Sequence, residues 1–583
     1  MEHEKTQWSQ YIVAALSEIA QKRGIDPALL EGIPVVVQKP PKPELGDLAV
    51  PLFPFAKVFR CAPQQIAEEA AGLLADKGAG IRSEGGYVNI TLDLGGSAHE
   101  IFKRVFEQQE HYGHTDALQG VRAMVEFSCP NTNKPLHLGH LRNDSLGSSI
   151  SRILGANGAQ VHRVNLINDR GIHICKSMLA YKKFGAGRTP ESEGVKSDHF
   201  VGDYYVKFSQ WAKEYPEAEQ EAQAMLQAWE RGDEQTTALW KLMNRWTIEG
   251  IEETYKKTRI AFDDVYYESS TYSRGREEVL KGLEEGIFYT DAEGTVWVDL
   301  EDIGLDKKVL LRKDGTSLYL TQDIGTAILR HEQWPFDMMV YVVGSEQQYH
   351  FAVLFHVLSR LGHSWAERMY HLSYGMVNLP DGKMKSREGT VVDADDLVAE
   401  LEKMARQEII DKGRADQVGD LDATAEQIAL GALNYYLLQT TPTRDMIFDP
   451  KKSIEFNGNT GPYLQYTGAR LSSMLKKHAE RNGASAEMGD LSLLSLQDER
   501  ELIKMIAAYP ASVKQAGEEK NPAVLTSYLY ELTRTFSRFY HDTPVLRAET
   551  KLLVSVRITL CRGVLQVLKN GCYLLGIPFL ESM

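Results

Sequence analysis

PNTNKPLHLGHLRND, residues Pro130 to Asp144, places His137 and His140 three positions apart with Leu138 and Gly139 between them. Just upstream, AMVEF at 123–127 reads as a buried strand, and just downstream LGSSISRILGANGA at 146–159 reads as a helix closing on glycine. Two imidazoles therefore sit at a joint between strand and helix. In an open parallel sheet, ligands bind where strands end and helices begin. A helix start offers unpaired N–H groups and the positive end of its dipole, both suited to phosphate. Gly139 lets backbone approach a ligand closely, and the imidazoles add donors. A lone histidine is more often a packing residue. A His-Leu-Gly-His turn with Asn131, Asn133 and Lys134 just before it is a stronger signal.

Outward from this turn, apolar strand candidates alternate with helices from 120 to about 380. They are AMVEF, VHRVNLI, MMVYVVG and YHLSYGMVNL. That alternation predicts a parallel sheet with helices on both faces. A charged, aromatic, mostly helical insertion is expected at about 185–290. Upstream, WSQYIVAALSEIAQKR at 8–23 has helical spacing, QKPPKPELGD breaks it, and a helix near PQQIAEEAAGLLADKG precedes a strand in GYVNITLDL. These form a small mixed α/β domain over 1–115. Residues 116–380 hold the sheet, 381–450 a loop and connecting helices, and 451–583 a helix bundle.

The whole chain bounds what these parts can do. Its 583 residues need several cores, and 43% hydrophobic with 25% charged residues is ordinary for a soluble protein. No run of 18 apolar residues predicts a membrane span. The polar N-terminus MEHEKTQWSQ does not read as a secretory signal, so a cytoplasmic location is expected. Cys61, Cys129, Cys175, Cys561 and Cys572 are scattered, with no Cys-x-x-Cys pair. They read as reduced thiols, and no dedicated metal site is expected. The net charge of −15 argues at first against a nucleic-acid partner, but it is unevenly spread. Residues 451–583 hold 17 Lys+Arg and 13 Asp+Glu, a balance of +4, which leaves −19 upstream. A basic C-terminal region suits RNA, though charge alone equally fits chance variation.

The turn resembles the HIGH motif of class I aminoacyl-tRNA synthetases, and its flanks EFSCPNTNKPLHLGHLRND resemble the arginyl branch. ELGDLAVPLFPFAK with GGYVNITL is similar to that family's N-terminal domain. VNLINDRGIHI, DHFVGDYYVKF, SLYLTQDIGTAI and VVGSEQQYH resemble later blocks, and FNGNTGPYLQYTGAR the start of its anticodon-binding bundle. The blocks run in family order from about residue 44 to Met583.

The resemblance implies a multidomain α/β fold: a Rossmann-type catalytic domain with a helical insertion, a small N-terminal α/β domain and a C-terminal α-helical bundle. It implies that L-arginine and ATP, with Mg2+ accompanying the ATP, give arginyl-adenylate and pyrophosphate. The arginyl group then passes to the terminal adenosine of tRNA-Arg. By resemblance, His137, His140 and Lys134 act on the phosphates, and Leu138 and Gly139 line the ATP site. Asn131, Asn165, Tyr319, Asp323 and Gln347 hold arginine. A guanidinium has five donors in a planar fork and wants a carboxylate, and helical spacing puts Tyr319 and Asp323 on one face. Asp323 alone would more often serve a helix start. Gln160 stands where an acid is expected, implying one negative charge fewer in the pocket. Tyr540 and His541 are candidates to stack on anticodon bases. A monomer is expected.

The second class I motif, KMSK, is altered here to Lys383-Met384-Lys385-Ser386, followed by Arg387. Met384 joins the expected ATP contacts and Lys383, Lys385 and Arg387 the catalytic set, with Lys134 carrying the larger share of the charge. Asp314-Gly315 reads as a turn, Cys129 as a small buried hydrophobe, and Trp240 and Trp246 as core. Rival readings are a cysteinyl or glutamyl enzyme, a small nucleotidyltransferase, and a non-catalytic RNA-binding paralogue. The cysteinyl enzyme is disfavoured by the lack of a zinc-binding cysteine cluster, the nucleotidyltransferase leaves both terminal domains unexplained, and the paralogue would not need His137, His140 and Asp323.

Overall fold

Strands of four to eight residues, most of them followed by a helix, build the central sheet. The computed structural model describes residues 2–42, 45–77, 80–92, 94–314, 318–380, 392–483 and 488–583. The chain divides into two compact units. The first comprises Met1–Tyr112, Ser473–Pro510 and Glu531–Val567, and the second Gly113–Ser472, Ala511–Tyr530 and Leu568–Met583. Among the described residues no helix is long and apolar enough to cross a membrane.

In the first unit α1 (Glu2–Lys22) precedes β1 (Leu48–Pro51), α2 (Pro63–Leu74), β2 (Gly80–Glu84), β3 (Tyr87–Thr91) and α3 (Leu94–Gln108). The three strands form an antiparallel sheet in the order β1-β3-β2. The strand β2, GIRSE, escapes a hydrophobic reading because its burial alternates and never becomes complete.

The second unit carries β4 (Arg122–Glu126), α4 (Leu138–Ala156), β5 (Gln160–Ile167) and α5 (Ile172–Phe184). Then come α6 (Ser197–Glu214), α7 (Ala218–Glu230), α8 (Glu234–Thr258), β6 (Asp264–Tyr267) and α9 (Glu268–Glu284). A small antiparallel sheet follows, of β7 (Tyr289–Thr290), β8 (Val296–Val298) and β9 (Lys308–Leu311). The chain returns to the main sheet through α10 (Tyr319–Gln333), β10 (Met338–Gly344), α11 (Gln348–Arg360) and β11 (Met369–Tyr374). Next are β12 (Val377–Asn378), α12 (Ala394–Asp411), α13 (Leu421–Leu438) and β13 (Met446–Ile447). The last helices, α14 (Gly461–Asn482), α15 (Gln497–Glu519), α16 (Ala523–Asp542) and α17 (Lys551–Leu574), supply segments to each unit.

The main sheet has the order β11-β10-β4-β5-β6, all parallel. From β4 the chain moves one way to β5 and β6, and later returns to lay β10 on the other side. The β4–β10 border is thus the topological switch point, where such sheets open a crevice at their carboxyl ends. The mostly helical insertion at 185–290 also contains an unexpected strand, since DVYY is the edge strand β6. Two aspartates, Asp263 and Asp264, disguise it. One sequence expectation needs correction: YHLSYGMVNL is not one strand. It breaks after Tyr374, and β12 leaves to pair in parallel with β13.

Helices α5, α6, α7 and α8 bury their own aromatic cluster, which includes Phe200, Tyr204, Phe208 and Trp246. Trp246 is core, as its spacing predicts, and Trp240 donates from Nε1 to the Asp169 carbonyl at 2.6 Å. The turn expected at Asp314-Gly315 includes Gly315, outside the described residues.

Candidate active site

His137 is the N-cap of α4, in extended conformation. Its Nδ1 accepts from the Gly139 N–H at 3.1 Å, and its own N–H donates to His140 Nδ1 at 3.1 Å. The rings lie 4.0 Å apart, centroid to centroid. This is a capping box made of imidazoles, satisfying two helix-start donors. With each Nδ1 accepting, each neutral ring carries its proton on Nε2 and presents it as a donor. Burial, with Lys134 nearby, pushes the His137 pKa down to about 4, and His140 falls well below its usual value for the same reasons. Burial also lowers Lys134. The turn is therefore poor in solvent and rich in donors, suited to an incoming anion. Gly139 belongs here because a Cβ would meet His137 Cε1 at 2.9 Å and Nδ1 at 3.0 Å.

The approach to this turn is strained. Ser128 and Cys129 have φ of 75° and 50°, the left-handed region. Three asparagines hold them there. The Ser128 N–H donates to Asn143 Oδ1 at 2.7 Å, and the Cys129 N–H to Asn165 Oδ1 at 3.0 Å. Asn168 donates to the Cys129 carbonyl at 3.1 Å. Asn143 also donates to the Val342 carbonyl at 2.8 Å, tying β4 to β10. Asn165 is fully buried, and its Nδ2 donates to the Tyr255 hydroxyl at 3.2 Å. Both ends of its amide are thus engaged within the protein, beneath the turn. These bonds support the chain that leads to Asn131, which is exposed. Leu138 is buried. Cys129 is half-buried rather than core.

Across the crevice, β10 ends at Gly344, and Gln347 follows it, exposed. His350 Nε2 lies 2.6 Å from Asp323 Oδ2. Asp323 is in the second turn of α10, too far along to cap that helix, and Tyr319 begins it with 73% of its surface exposed. A second carboxylate, absent from the sequence reading, belongs to this end. Glu268 opens α9 directly after β6 and is nearly buried. Its pKa is raised to about 7, by burial foremost and by Asp169 and Asp323 against the opposing Arg170. The available signal was its place, the first helical residue after a sheet strand, and that signal was hidden with β6 itself. Gln160 proves unrelated to this charge. It is the first, exposed residue of β5, paired with Arg122 at the amino end of the strands.

Lys383, Met384, Lys385, Ser386 and Arg387 lie outside the described residues. The chain after them is well placed: the Leu138 N–H donates to the Val392 carbonyl at 3.1 Å and the Ala394 N–H to the Leu136 carbonyl at 3.0 Å. In the first unit, His541 is exposed beside Asp542 at 2.8 Å, and Tyr540 packs on Phe536 with centroids 5.8 Å apart.

A histidine-capped helix at the switch point of a five-stranded parallel sheet is the arrangement of a class I aminoacyl-tRNA synthetase. The matching family model, "tRNA synthetases class I (R), catalytic domain", spans residues 102–450. "Arginyl tRNA synthetase N terminal domain" matches 6–92 and "DALR anticodon binding domain" matches 464–583. The chain belongs to the arginyl-tRNA synthetase family. It is 54% identical to the arginine–tRNA ligase of Treponema denticola, with all of each chain covered. It is 50% identical to that of Treponema pallidum, with 99% of each covered. The Thermus thermophilus arginyl-tRNA synthetase structure superposes with a TM-score of 0.78 at 26% identity, covering 99% of this chain and 100% of that one. A Plasmodium falciparum arginyl-tRNA synthetase shares the fold at 18% identity, TM-score 0.72, with 99% of each chain covered.

Proposed function

We propose that the crevice joins L-arginine to ATP at the His137 turn and then to tRNA-Arg, with each residue acting as follows. The protein is a ligase that uses ATP, as its family membership shows. Attack of the arginine carboxylate on the α-phosphate asks for positioning and charge stabilisation. The Nε2–H groups of His137 and His140 and the ammonium of Lys134 donate to phosphate oxygens. Leu138 and Gly139 form the floor beneath the nucleotide. Lys383, Met384, Lys385 and Arg387 contribute to the contacts with the phosphates, with Lys385 secondary to Lys134. Mg2+ enters with the triphosphate. The signature turn offers imidazoles and an ammonium, which fit phosphate oxygens rather than a cation.

Asp323 receives the guanidinium, Glu268 supplies a second carboxylate, Tyr319 covers it, and Asn131 and Gln347 hold the amino-acid backbone. Asn165 supports the turn from below. Tyr540 and His541 contact the anticodon loop. The domains run 1–115, 116–380, 381–450 and 451–583, and the enzyme works as a cytoplasmic monomer. The observation that carries the reading is the pair Asp323 and Glu268, two carboxylates at the sheet's carboxyl end beside the phosphate-binding turn. Removing one partner of a desolvated charge pair costs about 2–5 kcal/mol. Asp323→Ala should therefore raise the arginine KM at least tenfold, on the order of one decade per 1.36 kcal/mol, while the ATP KM stays within about twofold. An arginine KM equal to that of the parent enzyme removes Asp323 from the site.

A further inference from the structure

We propose that Lys196 is a positioning residue for adenylate formation, locking the helical insertion to the strand-like segment that frames the His137 turn. This rests on the reading of that turn as the ATP site. Lys196 is the residue before α6, yet its side chain does not cap that helix. Its Nζ lies 2.6 Å from Asp395 Oδ2, 2.6 Å from Thr254 Oγ1 and 3.1 Å from Asp198 Oδ2. It thus joins α6, α8 and the first turn of α12. His199 adds a second link, its Nε2 being 3.3 Å from both Asp393 Oδ2 and Asp395 Oδ2.

Asp393 is where this cluster meets the chemistry. It N-caps α12, accepting from the Asp395 N–H at 2.8 Å and the Asp396 N–H at 3.2 Å. It is also the residue bridged antiparallel to His137, between the two backbone bonds that join 392–394 to 136–138. A cavity of about 230 Å³ beside the turn is lined by Lys134, His137, His199, Tyr205 and Asp393 among others. One of its walls therefore belongs to the cluster and the other to the signature.

The charges explain why the lysine matters. Donor atoms of Asp198, His199 and Asp395 lie within 4.8 Å of one another, a spacing that would also suit a metal ion. Here the ammonium of Lys196 bonds to both carboxylates and supplies the positive charge itself. Asp198 is fully buried, so its carboxylate has no recourse to water. Without Lys196, three carboxylates would face one another around a single imidazole, and their repulsion would act on the segment that holds His137 in register. Isolated surface pairs contribute little, but a buried network loses heavily when one member goes.

The test is steady-state aminoacylation of tRNA-Arg by the full-length enzyme and by Lys196→Met, Lys196→Arg, Asp395→Asn and the Lys196→Met/Asp395→Asn double variant. Losing charge-assisted bonds at one residue should lower kcat/KM for ATP by roughly 10- to 100-fold in Lys196→Met, with arginine KM changed by less than about twofold. Lys196→Arg should recover most of the loss. The double variant should be no worse than Lys196→Met, since both break one link. If Lys196→Met does not fold, Asp395→Asn alone should show the same split between ATP and arginine. ATP parameters like those of the parent in Lys196→Met or Asp395→Asn, or an equal loss toward both substrates, would overturn the proposal. A parent enzyme that fails to charge tRNA-Arg would instead overturn the reading on which it rests.

Discussion

At the scale of the residue, the site works by holding groups in unfavoured states. Glu268 is a buried acid raised to about 7, and Asp323 is one of its causes. A guanidinium arriving beside it would favour the ionised form, so arginine binding should release a proton as pH falls toward 7. The sign is definite: only ionised Glu268 pairs with arginine, so affinity is full above about 7 and lost below it. The arginine KM should rise as pH is lowered from about 8 to 6, and Glu268→Gln should flatten that slope while raising KM throughout. An equal slope in the variant would assign the titration elsewhere. Burial lowers Lys134, and in the proposed site its ammonium meets the phosphates of ATP. A hydrogen bond to a charged group is worth roughly 1.5–3 kcal/mol. In single-turnover assays Lys134→Ala should slow adenylate formation roughly 10- to 150-fold. Lys385→Ala should slow it less, and the reverse order would make Lys385 the principal cation.

At the scale of the element, two helices carry the carboxylates proposed to receive arginine. Helices α9 and α10 cross with backbones in contact at Gly275 and Gly325. A Cβ on Gly275 would lie 1.7 Å from the Thr321 carbonyl oxygen, and one on Gly325 would lie 2.2 Å from the Gly275 nitrogen. Glu268 rides on α9 and Asp323 on α10, so this crossing sets how the two carboxylates meet. Gly325→Ala must part the helices. It should lower stability by about 1–3 kcal/mol in thermal or urea unfolding and raise the arginine KM far more than the ATP KM. A destabilised variant with parental arginine KM would show that the crossing matters only for folding. On the other side, the fully buried Arg142 of α4 donates to carbonyls of Gly375 at 2.8 Å, Pro442 at 3.0 Å and Arg444 at 2.9 Å. It fastens the signature helix to the chain on either side of residues 381–391.

Across the whole molecule, what the sequence made legible was local. His137, Gly139 and His140 sit within four positions, and MMVYVVG is a continuous apolar run, so the turn and much of the sheet could be read directly. The shared face of Tyr319 and Asp323 was readable because they lie one helical turn apart in α10, while the role given to Asp323 came from the resemblance. The remainder depends on partners distant in the chain. Lys196 meets Asp395 199 positions on, and Arg142 meets carbonyls more than 230 positions on. Asn165 is joined to Cys129 and Tyr255, 36 and 90 positions away in the chain. Glu268 was hidden because a four-residue edge strand that opens on Asp264, directly after Asp263, has no periodicity to betray it. The central claim joins all these parts: the paired carboxylates choose arginine, and the histidine turn activates it with ATP for transfer to tRNA. Its most direct test offers the purified enzyme ATP, Mg2+, total tRNA and each of the twenty amino acids in turn, and measures acid-precipitable aminoacyl-tRNA. Arginine alone should be charged, on tRNA-Arg alone; charging of any other amino acid at a comparable rate, or no charging with arginine, would contradict the account.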